Sequence, residues 1–127
     1  MNKMSCLINA VSIVLEKHNK FPKDETIEIR MKSAGYQGGM VDGEILMAVL
    51  TSFGMSYSYT SSIYIPCTYI LTNGTSWTAF STGRNKDDSK WKMTMHSSPA
   101  STLSMKDMNV MLDGKWEGFI VYGNCNK

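Results

Sequence analysis

Cys6 stands in the run Ser5-Cys6-Leu7-Ile8-Asn9-Ala10-Val11-Ser12-Ile13-Val14-Leu15-Glu16-Lys17-His18, where Leu7, Ile8, Val11, Val14 and Leu15 recur at helical spacing. Those five residues make one wide apolar face, so the thiol falls where a helix begins. There it meets unpaired backbone N–H groups and the positive end of the helix dipole, which favour a thiolate. Nucleophilic catalysis by such a thiol needs a base, a group that orients the base, and donors for the developing oxyanion. Two histidines are available, His18 and His96. His18 closes the same helix, about 18 Å from Cys6, and suits the helix's negative end better than the thiol. His96 lies two residues before Ser98, so on a strand the two share a face. Two readings of His96 stay open: a rearranged dyad with Cys6, or a partly buried sheet residue bonded to a backbone carbonyl. Cys6 likewise is either a nucleophile or a small buried hydrophobe.

The remaining reactive residue types point away from metals and cofactors. Three cysteines, Cys6, Cys67 and Cys125, are an odd number at wide spacing with no Cys-x-x-Cys pair, which suggests neither a disulfide framework nor zinc. Cys67 and Cys125 read as packing or surface residues. The turn Gly35-Tyr36-Gln37-Gly38-Gly39 lacks the Lys-Ser/Thr ending of a phosphate loop and reads as a helix stop. Asn73-Gly74-Thr75 has the form of a glycosylation acceptor, but reads as a turn. Trp77, Trp91 and Trp116 fall at strand positions and read as sheet core or rim residues; if exposed together they would instead mark a contact site.

The elements that must position these residues follow from pattern. Helices are predicted from about Ser5 to His18, from Asp24 to Ala34 with Gly35 as its stop, and from Asp42, as a cap, to Phe53-Gly54. From Met55 onward Tyr, Thr, Ile and Trp dominate, and strands are predicted at Met55–Tyr59, Thr68–Leu71, Trp77–Ser81, Trp91–Met95 and Trp116–Tyr122. Arg84–Lys90 reads as a polar hairpin tip. Ser104, with Asp107 three residues on, caps a last short helix. The expected class is α+β, one domain over residues 1–127, with N-terminal helices packed on a C-terminal antiparallel sheet.

In this order the chain resembles the papain-like cysteine peptidases, and most closely the bacteriocin-processing family that cleaves double-glycine leaders. Cys6 with Ala10, Val11, Val14 and Leu15 resembles the nucleophile helix. Gly39-Met40-Val41-Asp42 and Phe53-Gly54-Met55 resemble the bounds of the third helix, and Pro66-Cys67-Thr68-Tyr69-Ile70-Leu71 resembles the strand before the catalytic histidine. Ser76 to Gly83 resembles the histidine strand, Ser98-Pro99 the Asp-Pro, and Met105 to Val121 the closing helix and strand. The departures fall on the chemistry: Ser76 stands where the family has histidine and Ser98 where it has aspartate. Leu7 replaces the usual glycine, and Asn2 is the nearest amide to the family's oxyanion glutamine. A serine hydroxyl is no base near neutral pH, and losing the base alone costs about 10²–10⁴-fold in rate.

The function expected first is therefore a catalytically degenerate papain-like domain that binds another protein, an inhibitor or adaptor of the kind a virus or mobile element carries. Tyr57, Tyr59, Tyr64 and Trp77 are its candidate contacts. The alternatives are an active cysteine peptidase or thiol hydrolase using Cys6 with His96, and a structural oligomer subunit. A formal net charge of +2 announces no broad basic face for nucleic acid, and no apolar run nears the ~20 residues of a membrane span. Without a signal-peptide pattern the expected location is cytoplasmic, in a host cell if the source is viral. No cofactor is expected.

Overall fold

The computed structural model describes residues 3–82 and 91–122. Asn2, the hairpin tip at Arg84–Lys90 and Cys125 lie outside the described residues. Helices α1 (Lys3–Lys17), α2 (Asp24–Ser33) and α3 (Gly43–Ser52) come first. Strands β1 (Ser56–Thr60), β2 (Thr68–Thr72), β3 (Trp77–Thr82), β4 (Lys92–Met95) and β5 (Ser101–Ser104) follow, then α4 (Met105–Leu112) and β6 (Glu117–Tyr122). The six strands form one antiparallel sheet in the order β1-β6-β2-β3-β4-β5. The α+β expectation holds. Among the described residues no helix is long and apolar enough to cross a membrane.

Local chemistry sets the helix ends. α1 stops where Asn19 turns into the left-handed region at φ 61°, with Lys20 N–H closing back on Leu15 O. α2 stops at Gly35, φ 104°, which a side chain would strain. Asp42 caps α3 by accepting from Ile45 N–H at 3.0 Å, and Ser104 caps α4 by accepting from Asp107 N–H at 3.2 Å. Arg30 of α2 donates to Ser52 O at 2.6 Å and lies over the Phe53 ring, which fastens α2 to the end of α3.

The two faces of the sheet bury different helices, as the period of two requires. Ile70, Trp77, Ala79, Phe119 and Val121 face α1 to α3, where Leu7, Val11, Val14 and Leu15 are fully buried. Each of those aliphatic side chains contributes about 1.5–3 kcal/mol by leaving water. Tyr69, Leu71, Phe80, Met93 and Ile120 face the other way, onto Met108 and Leu112 of α4. α1 packs chiefly on β3 and β2, so the N-terminal helices do lie against the sheet.

Two expectations need correction. β5 was not among the predicted strands: Ser101-Thr102-Leu103-Ser104 is short, polar and at the sheet edge, so no apolar alternation announces it. Cys67 is buried and disulfide-bonded, against the expectation drawn from the cysteine count. The reason is tertiary: β6 pairs with β2 in the register Thr68↔Val121, which carries the C-terminal strand past Cys67. Spacing along the chain holds no trace of that pairing.

Candidate functional site

Cys6 lies in the first turn of α1, on the flank of the helix whose neighbours Leu7 and Ala10 are buried, and is itself half-buried. That turn rests on the start of β3. The backbone N–H of Trp77, the first residue of β3, donates to Cys6 Sγ at 3.5 Å, and its indole Nε1–H donates to Val41 O at 2.8 Å. Trp77 thereby ties α1, β3 and the loop before α3 at one end of the sheet. The turn that delivers it is held by Asn73, whose Oδ1 accepts from Thr75 N–H, Thr75 Oγ1 and Ser76 N–H. Asn73-Gly74-Thr75 is thus a side-chain-closed turn, as its sequence suggests.

Ser76 is half-buried and immediately precedes the residue that meets the sulfur. Ser98 is exposed and lies on the segment leaving β4. β4 runs antiparallel to β3, with Phe80↔Met95 paired and His96 N–H bonded to Ala79 O at 2.8 Å, so the chain after His96 advances toward the Trp77 end. Cys6 and Ser76 therefore adjoin at the start of β3, while Ser98 lies in the turn that joins β4 to β5. Neither serine supplies a base.

His96 is turned away from that end. Its backbone stands opposite Ala79, yet its Nε2 lies 2.6 Å from Ser81 Oγ. Ser81 is four residues along β3 from Trp77, roughly 13 Å at strand rise. Burial pushes the imidazole pKa down; Lys17 adds to that and Glu16 opposes it. Both of these α1 residues belong to the helix end remote from Cys6. The Cys6–His96 dyad is not assembled, and His96 is a sheet residue whose ring bonds a hydroxyl where a backbone carbonyl was expected.

His18, at the same remote end, places Nε2 2.7 Å from Thr68 Oγ1. The Thr68 hydroxyl donates to Val121 O at 3.0 Å, so the imidazole N–H is the donor toward it. Thr68 and Ser81 are cross-strand partners. Both histidines of the chain thus lock onto neighbouring hydroxyls between α1 and the sheet, an arrangement that sequence reasoning missed. Nothing in a separation of 78 positions signals it, only the β2–β3 register does. Among the described residues no three His, Cys, Asp or Glu side chains converge as metal ligands.

Beyond Trp77 the surface opens into two adjoining cavities. The larger, about 410 Å³, has a floor of the buried Val41, Trp77 and Phe119, with the exposed Met40 and Tyr59 at its lip and the acidic residues Asp42 and Glu117 in its lining. The smaller, about 260 Å³, continues past Tyr59 and Glu117 to Asn73, Lys115 and Trp116. Tyr59 O–H donates to Glu117 Oε1 at 2.7 Å, and this pair lines both cavities. The carboxylate holds the phenol pKa above its usual value.

The four candidate contact residues do not form one surface. Tyr59 is 63% exposed and sits in the groove. Trp77 is only 5% exposed: it is cavity floor, not a protruding contact. Tyr57 is half-buried, edge-on to Phe119 at 5.6 Å and bonded to Thr51 Oγ1, and serves as core rim. Tyr64 is 49% exposed but belongs to the other face, beside Tyr69 and Tyr122, and its pKa is pushed up to about 12 by the Tyr122 hydroxyl. The alternation of Met55–Tyr59 says nothing of Tyr64, because the chain leaves β1 after Thr60. Comparison of the chain with protein-family models, with curated proteins and with solved structures returned no match.

Proposed function

We propose that this protein is a degenerate papain-like domain that binds an extended segment of another protein in the groove at the Trp77 end, and does not cleave it. The observation that carries the reading is the surroundings of the thiol: Trp77 N–H points at Cys6 Sγ, Ser76 stands next to it, and the His96 ring is engaged by Ser81 far along β3. Without an imidazole at the sulfur, proton transfer to the leaving amine has no carrier. The order of helices and strands and the place of α1 against β3 support the resemblance. The groove supports the binding role, since a concave apolar floor with a few polar groups is what ligand sites share.

Peptides selected from a random library on the wild-type protein test this. Selected peptides are expected to bind wild type and Cys6→Ser equally, to remain intact by mass, and to lose affinity for Gly43→Trp, which fills the cavity from its edge against Phe119. Cleavage of the peptides by wild type but not by Cys6→Ser would overturn the reading in favour of a peptidase.

A further inference from the structure

The larger cavity carries a charge pattern that narrows its occupant. The chain as a whole has more basic than acidic residues, 13 against 11, yet among the described residues the charged ones lining this cavity are Asp42 and Glu117. Asp42 uses one oxygen to cap α3, and Glu117 uses one to accept from Tyr59. A carboxylate has about four lone-pair positions, so each keeps capacity for a ligand's N–H groups. Among the described residues, Lys115 lines the adjoining cavity and not this one. Val41, Trp77, Phe119 and the exposed Tyr59 line the same cavity as these two acidic residues.

Resting on the groove reading above, we propose that this cavity selects an arginine side chain of the bound segment. The aliphatic stem covers Val41 and Phe119, and the guanidinium lies at the carboxylates of Asp42 and Glu117 with its plane against the Tyr59 ring. A planar five-donor head meets two carboxylates and stacks on an aromatic face, which a compact ammonium does less well. An apolar side chain would fill the floor but leave the carboxylates unmatched.

The test uses three blocked tripeptides, Ac-Gly-Xaa-Gly-NH2, with arginine, its neutral isostere citrulline, or norleucine at the centre. Binding is read from the Trp77 indole N–H resonance, whose bond to Val41 O places it in the cavity wall. The arginine peptide is expected to bind about fivefold more tightly than the citrulline peptide, the scale of a solvent-accessible ion pair, and to lose that margin at high salt. Asp42→Asn keeps a helix cap and Glu117→Gln keeps an acceptor for Tyr59, so both fold, and the double variant should bind arginine and citrulline peptides equally. Equal binding of the two by wild type, or a preference that survives the double variant, overturns the arginine assignment while leaving the groove reading standing. If none of the three peptides moves the resonance, both fall.

Discussion

Gly118 offers the sharpest test of the packing that builds the groove. It lies in β6 opposite Thr60 on one side and Leu71 on the other. A Cβ there would come within 2.2 Å of Ile70 O and 2.9 Å of Leu71 Cα. Both are backbone atoms in the middle of the sheet, so neither can rotate aside. Restoring ordinary contact requires β2 and β6 to separate by about 1 Å, which takes ladder bonds beyond good hydrogen-bond length. Overpacking of this kind costs about 1–3 kcal/mol, and one or two weakened bonds add about 1 kcal/mol each. Gly118→Ala should therefore lose about 3–4 kcal/mol, a large share of the 5–15 kcal/mol typical of a domain. Gly74→Ala is the control: it lies in the same groove at φ 96° with open space around its Cβ position, so only backbone strain of about 1–2 kcal/mol applies. The assay is urea unfolding of both variants. If Gly118→Ala proves as stable as Gly74→Ala, the close approach of β2 and β6 is wrong.

Three further outcomes are expected. Ser104→Ala removes the cap of α4 and should cost about 1 kcal/mol in urea unfolding, whereas Ser104→Asp should restore most of it. Cys67→Ser should cost about 2–4 kcal/mol, and a reductant should then destabilise wild type but not the variant. His96 is held below its ordinary pKa of 6.5 when folded, chiefly by burial. The unfolded chain then takes the proton first, so stability is full above about pH 6.5 and declines as pH falls below it. The half-buried ring limits the size of that decline, and His96→Gln should flatten the slope of urea midpoint against pH in that window; an unchanged slope would refute the assignment.

The fold was legible wherever local chemistry decided it. Helix starts at Asp42 and Ser104, the stop at Gly35 and the turn at Asn73 are each set by one side chain or one φ, and these appear in the sequence as residue types at fixed offsets. The strands with β-branched and aromatic residues were equally plain. What was hidden depends on which strands become neighbours. β5 takes its identity from β4, the Cys67 disulfide from the β2–β6 register, and the pairing of His18 and His96 with Thr68 and Ser81 from the β2–β3 register. The candidate site divides in the same way: Cys6 in the first turn of α1 follows from pattern, while its place beside the start of β3 and the turning of His96 toward Ser81 rest on tertiary packing. Trp77 was legible as a sheet-core residue, which its burial bears out, but not as a protruding contact, because its indole N–H is bonded to Val41 O in the cavity floor.

The most direct test of contact without bond breaking is a single comparison of wild type and Cys6→Ser against one groove-selected peptide, with affinity and peptide mass followed in the same sample. Equal affinity and an unbroken peptide in both are the expected result. A peptide severed only when the Cys6 sulfur is present would contradict the account.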